Sequence, residues 1–328
     1  MRVGFGLTDR ATPEYLKYAA QFGATDIRMA RGVVPARGGR WELQDLVKLR
    51  QSVEQYGLSL TAIENVPTDF YDHIMIGGPR RDEQIENMIY NVRNMARAGI
   101  PIFGYNWMPS NVWRTPPKHI RGGAEATAFD YEVAKKSPLT HDREYSEEEM
   151  WESLEYWIRI ITPVAEEEGI RLGIHPCDPP VETLGGIPQL LRSFDSYKRL
   201  IKIVESPSNA IEFCQGTFSE MADAADGGIY DMIRYFGERK KILYVHFRNV
   251  SNPVPEFHEE FINTGHVDMF KAMQIYHEVG FDGFFMDDHV PHTHGDTEWG
   301  HRGRAFANGY IQAMIEAVQK QAEAANRN

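Results

Sequence analysis

The chain reads as a closed (β/α)8 barrel, one domain over residues 1–328 with a loop insertion at about 108–145. Three observations predict it. Short apolar runs alternate strictly with amphipathic helical stretches eight times, the pattern of a parallel sheet with right-handed crossovers. No linker, low-complexity block or composition shift divides the chain. Finally, a residue able to bind a metal stands where each of four successive apolar runs ends: Gly173-Ile174-His175, Ala210-Ile211-Glu212-Phe213-Cys214, Ile242-Leu243-Tyr244-Val245-His246 and Gly283-Phe284-Phe285-Met286-Asp287-Asp288. The gaps are 39 residues (175 to 214), 32 (214 to 246) and 42 (246 to 288), each about one strand plus one helix. Parallel strands bring those ends together on the rim where such barrels hold their chemistry.

Taken in order, residues 2–7 form the first strand, and Thr12-Pro13 cap and open a helix to about Phe22. Asp26 to Arg31 is the second strand, and Leu43, Leu46, Leu49 and Val53 give 42–56 helical spacing up to Gly57. The third strand is 58–64, the third helix Arg81 to Ala98 with Gly99 behind it, and the fourth strand 100–107. Residues 108–145, rich in Pro, Gly, His and Arg, are expected to be irregular, and long loops of that kind are usually functional or mobile. Ser146 and Glu149 spell a capping box for a helix to Glu168. The remaining strands are 171–176, 209–214, 242–248 and 283–288. Helices are expected over about 188–204, 227–239, 268–279 and 302–322.

Bulk properties narrow the function. A formal charge of −12 argues against a nucleic-acid surface, which needs clustered Lys and Arg. No run approaches the roughly 18 apolar residues of a membrane span. The start Met1-Arg2-Val3-Gly4-Phe5 lacks signal-peptide architecture, and the two cysteines, Cys177 and Cys214, fit a reducing compartment, so a cytoplasmic protein is expected. A small-molecule ligand, no membrane partner and an assembly of identical subunits complete the expectation.

Alternation along strands puts Tyr244, His246 and Arg248 on one face, Glu212 with Cys214, and Met286 with Asp288. Histidine and carboxylate suit a divalent first-row ion, and a thiolate adds softness compatible with Zn, Co, Fe or Mn. Singly, a strand-end histidine is commonly structural and a strand cysteine a small hydrophobe; four on successive strands favour a metal. Asp287 competes with Asp288, and Glu212 is either a further ligand or a buried partner for a base. His289 is placed to act as general acid or base. Arg248 is expected to pair with a substrate carboxylate in bidentate fashion. Glu64, Asn106, Trp107 and Asp178 share the rim as candidate substrate contacts, and His292, His294 and His301 read as solvated or lid residues.

The run Ile174-His175-Pro176-Cys177-Asp178-Pro179-Pro180, with Phe213-Cys214, His246-Phe247-Arg248-Asn249-Val250 and Asp288-His289, resembles the mannonate dehydratase family. So do Ile63-Glu64-Asn65-Val66-Pro67, Tyr105-Asn106-Trp107-Met108-Pro109 and Gly265-His266-Val267-Asp268-Met269. The likeness spans about residues 40 to 312. It implies a xylose-isomerase-like barrel converting D-mannonate, a sugar acid, to 2-keto-3-deoxy-D-gluconate. It implies His175, Cys214, His246 and Asp288 as ligands, Mn²⁺ as the usual ion with Fe²⁺, Co²⁺ or Zn²⁺ also compatible, and His289 as acid/base.

Three positions depart from the family pattern. Cys177 replaces an aspartate, Val290-Pro291-His292 replaces a glycine after Asp288-His289, and Trp299 stands where the family has a catalytic tyrosine, five residues before Arg304-Ala305. Indole offers only an N–H donor. Trp299 is therefore expected near the substrate as a stacking or shape element, with Tyr105 or His292 as candidates for the missing proton-transfer group. The alternatives are a metal-dependent sugar isomerase or epimerase on the same barrel, or a carbohydrate-binding barrel without turnover.

Overall fold

Eight parallel strands close on themselves: β1 (Arg2–Leu7), β2 (Asp26–Met29), β3 (Ser59–Ile63), β4 (Ile102–Asn106), β5 (Arg171–His175), β6 (Asn209–Cys214), β7 (Ile242–His246) and β8 (Phe284–Met286). Each strand pairs with its neighbour in sequence, and β8 returns to β1 through Arg2↔Phe284 and Val3↔Phe285. The computed structural model describes residues 1–7, 11–30 and 34–325. Among them no helix is long and apolar enough to cross a membrane.

The main helices alternate with these strands: α1 (Pro13–Gln21), α2 (Leu43–Glu54), α3 (Arg81–Ala98), α4 (Glu147–Glu168), α5 (Phe194–Ile203), α6 (Gly228–Glu238), α7 (Met269–Glu278) and α8 (His301–Ala325). Their boundaries follow local chemistry. Thr12 Oγ1 accepts the Tyr15 N–H at the start of α1, and Ser146 and Glu149 make both bonds of the capping box. Gly99 and Gly169 end α3 and α4 in the left-handed conformation.

One apolar core lies between strands and helices and includes Leu172, Ile174, Phe213, Val245 and Phe285. A smaller one fills part of the barrel interior with Ala62, Ile102, Ala210, Tyr244, Phe284 and Met286. Buried Arg28, Glu64, Glu212 and His246 accompany it, so the interior is polar towards the C-terminal rim. Gly104 makes that layer fit. A Cβ there would stand 2.9 Å from both Glu64 Cβ and the Tyr244 hydroxyl.

Several boundaries differ from expectation. The 108–145 segment is not structureless: Thr115–His119 and Glu125–Asp130 form an antiparallel hairpin, extended by Glu256–His258. The third strand of that sheet comes from more than a hundred residues away, so no local pattern announces it. Residues 188–193 are not helical either. Thr183–Leu184 and Ile187–Pro188 pair across Gly185-Gly186, both at positive φ, and the helix waits for the Ser193 cap. β7 and β8 stop at His246 and Met286, two residues early. The expected end of the second strand at Arg31 lies outside the described residues.

Candidate active site

Register brings the four expected ligands to one level of the rim. Cys214 pairs with His246 across β6–β7, and His246 with Met286 across β7–β8. His175, Cys214 and His246 offer donor atoms that all lie within 4.8 Å of one another. Asp288 completes the group, with Oδ1 3.4 Å from His246 Nδ1 and Oδ2 3.6 Å from Cys214 Sγ. Its φ of +59° re-aims the chain after β8. Asp287 instead pairs with Arg304 at 3.0 Å, away from the cluster, so geometry separates the two aspartates.

Outer contacts prepare both imidazoles. His175 Nδ1 lies 2.7 Å from the Pro176 carbonyl, which assigns the proton to Nδ1 and leaves Nε2 with a lone pair. His246 Nε2 lies 3.1 Å from Glu64 Oε2 and therefore donates, whereas the buried Nδ1 has no hydrogen-bond partner. Such outer bonds fix the tautomer of metal-binding histidines. An orphaned buried nitrogen beside a thiol and a carboxylate fits a divalent first-row ion.

Beneath lies a charged floor. Tyr244 donates to Glu64 Oε2 at 2.8 Å, and Arg28 Nε stands 2.8 Å from the same oxygen, an ion pair not aligned as a hydrogen bond. Burial alone would raise the Glu64 carboxyl, but Arg28 and His246 hold it at about 2. Glu212 has both oxygens buried without a hydrogen bond, although Oε1 is 3.2 Å from His246 Nε2. Burial, reinforced by the Glu64 charge, pushes its carboxyl well up. Two adjacent carboxyls are thus pushed in opposite directions.

Arg248 corrects an expectation. Its Nε donates to Asp288 Oδ2 at 3.0 Å, and Nη1 to Glu220 and Glu259, each at 2.9 Å. Nη2 donates to Thr217 Oγ1 at 3.1 Å and Cys214 Sγ at 3.6 Å. All five N–H groups are committed within the wall, and none remains for a substrate carboxylate. Arg248 holds Asp288 and Cys214 in place instead.

Two cavities meet at His289 and Arg304. One, of about 380 Å³, is lined by Arg28, Glu64, His175, Asp178, His246 and Asp288 among others. The other, of about 410 Å³, is walled by Tyr15, Glu125, Glu259, His292 and Trp299. His289 is half-exposed, and its Nδ1 lies 2.9 Å from buried Glu259, so Nε2 is the atom left for a ligand. Asp288 and then Glu259 raise the affinity of this imidazole for its proton.

Asp178 is held from both sides by Arg114 at 2.7 and 2.8 Å, which keeps its carboxyl at about 2 although burial opposes this. Asn106 hydrogen-bonds Asn65 at 3.4 Å, one strand from His175. Trp107 does not reach either cavity and is buried in the outer core. Tyr105 is likewise buried against Trp157, where desolvation raises its phenol, so it does not supply the missing proton-transfer group. Trp299 lines the second cavity, where Tyr15 stacks on it at 4.7 Å and Phe5 at 6.4 Å, so packing fixes the indole as part of the wall.

Arg28, Tyr15, Glu259, Glu220 and Arg114 escaped the sequence reading. Arg28 had a signal, a charge two residues from Asp26 within an apolar strand run. Glu259 had none, because its carboxylate's partners, Arg114, Arg248 and His289, come from three separate segments.

A model of D-mannonate dehydratase (UxuA) matches residues 1–141 and 133–325. Mannonate dehydratase 2 of Halalkalibacterium halodurans is 30% identical over an alignment of 355 residues, covering 96% of this chain and 97% of its own. The crystal structure of mannonate dehydratase from Streptococcus suis serotype 2 superposes with a TM-score of 0.89 at 28% identity, over 98% of this chain and 96% of that one. A xylose isomerase domain protein from Alicyclobacillus acidocaldarius, TM-score 0.66 at 12% identity, shares the fold alone. With the motifs on the barrel rim, the full-length match leaves one assignment: this chain belongs to the mannonate dehydratase family.

Proposed function

We propose that this chain is a metal-dependent hydro-lyase that removes water from a sugar acid, converting D-mannonate to 2-keto-3-deoxy-D-gluconate. One observation carries the reading: a buried N, N, S and O donor group, with both imidazole tautomers set by outer bonds, adjoins a cavity-facing histidine backed by a carboxylate.

His175, Cys214, His246 and Asp288 would hold the ion, Mn²⁺ first and Fe²⁺, Co²⁺ or Zn²⁺ as alternatives. When bound, such an ion supplies Lewis acidity, which favours loss of a proton next to a carboxylate. The chain's own groups do the rest. Glu259 orients His289 so that Nε2 faces the cavity and can exchange one proton with the substrate. Dehydration takes a proton from C2 and hydroxide from C3, and the resulting enol becomes the 2-ketone. It therefore needs a second proton-transfer group. Tyr15 lines the same cavity as His289 and stacks on Trp299, so it brings a phenol, in space, to a wall where the last-helix motif has indole. Wall residues Trp299, Tyr15 and His292 narrow access and limit which sugar acids fit.

Incubating the protein with Mn²⁺ and a panel of C6 and C5 sugar acids tests the reading. A 2-keto-3-deoxy acid should form, fastest from D-mannonate. Interconversion of sugars without loss of water would establish the isomerase or epimerase instead, and binding without any product would establish the carbohydrate-binding barrel.

A further inference from the structure

The arginines around the site differ in how many N–H groups they have left. Arg248 has none. Arg114 commits both Nη groups, to the Trp113 carbonyl, to both Asp178 oxygens and to Glu259. Arg304 gives Nε to the Trp299 carbonyl at 2.8 Å and Nη1 to Asp287 and the Asp288 carbonyl at 3.0 Å each, while Nη2 bonds no described residue. Arg28 is the outlier. Its side chain is only 7% exposed, its Nε stands against Glu64, and neither Nη hydrogen-bonds any described residue. Its guanidinium lines the cavity that also holds His175, His246 and Asp288.

Burying a guanidinium is costly unless its N–H groups meet acceptors. Among the described residues, the acids on this cavity cannot serve both Nη groups: Asp178 is matched to Arg114, Asp288 to Arg248, and Glu64 to Nε. The slot is built in. Arg28 pairs in register with Gly6, where a Cβ would come within 3.2 Å of its Cζ and 2.4 Å of Met286 Cε. A side chain at position 6 would displace the guanidinium from the cavity wall.

We propose that Arg28 receives the carboxylate of an open-chain sugar acid through its two Nη groups, with Arg304 Nη2 as a second donor on the same cavity. The inference rests on the sugar-acid reading above and replaces the role first expected of Arg248. A planar fork of paired N–H groups matches a carboxylate in geometry and charge. A neutral sugar would leave the two Nη groups without a charged acceptor, although Glu64 still faces Nε.

The experiment measures affinity of the metal-loaded protein for D-mannonate and for D-mannonamide, which keeps the carbon chain without the charge. Wild type should prefer the acid. Arg28→Met should reduce that preference about 100-fold or more, the worth of two charge-assisted bonds, with amide affinity kept within about threefold. Arg28→Lys, which keeps charge without the fork, should fall between and serves if the methionine variant fails to fold. A merely structural role would weaken both ligands together. An acid-over-amide preference unchanged within about threefold in either variant, or absent from wild type, overturns the proposal. Product formation is followed in parallel. Keto-acid release by Arg28→Met at unchanged KM removes Arg28 from the site and leaves the dehydratase reading intact. An Arg28-dependent preference with no keto acid from any sugar acid sinks the dehydratase reading and leaves the carboxylate receptor standing.

Discussion

Replacing Arg248 by methionine distinguishes a structural counter-ion from a substrate ligand. The side chain is 1% exposed and makes five hydrogen bonds. Two of them, to Glu259 and Asp288, join full charges, because both carboxyls are held ionised by their cationic neighbours despite burial. The third, to Glu220, meets a carboxyl that burial pushes towards its neutral form. Two charge-assisted bonds are worth about 3–6 kcal/mol together. Arg114 still faces Glu259 at 3.2 Å and His246 still faces Asp288 at 3.4 Å, so some compensation survives. The net loss should be about 3–5 kcal/mol, the usual penalty for leaving a buried ion pair half-made. Against a typical total of about 5–15 kcal/mol this is a large fraction. Urea unfolding followed by tryptophan fluorescence, with metal in excess, reads it directly. Arg248→Lys, with three donors where five were used, should lose less. A methionine variant that unfolds within about 1 kcal/mol of wild type while its KM rises sharply would refute the reasoning and restore the substrate role.

Four further outcomes follow from the same geometry. Cys214→Ala should lower metal content and turnover together, by metal analysis and product assay; full occupancy and full turnover would remove the thiol from the ligand set. Metal uptake by the stripped protein should strengthen as pH rises and release protons, measurable by titration in buffers of different ionisation enthalpy. Burial raises the Cys214 thiol, and although burial opposes it, Asp288 and Glu64 raise the His246 imidazole to about 10, so both must lose a proton to ligate; uptake independent of pH between 6 and 9 would contradict that ligand pair. His289→Ala should cost about 10²–10⁴ in kcat, and Tyr15→Phe should lower kcat with little change in KM if the phenol moves a proton. A loss confined to KM would make Tyr15 a binding wall only.

Much of this protein is legible from its local patterns. Barrel closure follows from alternation repeated eight times, and helix ends follow from Thr12, Ser146, Gly99 and Gly169, whose effects act within one turn. The convergence of His175, Cys214, His246 and Asp288 was readable because parallel neighbours place equivalent strand ends together. What the linear order could not carry is which side chain meets which partner across the barrel. Arg28 meets Glu64, Arg248 meets Glu220 and Glu259, and Tyr15 stacks on Trp299 from the opposite end of the chain. Strand alternation tells which face a residue takes, but the donors a guanidinium keeps free depend on groups contributed by four or five elements at once. That accounting exists only after closure, and it moved the candidate carboxylate receptor from Arg248 to Arg28.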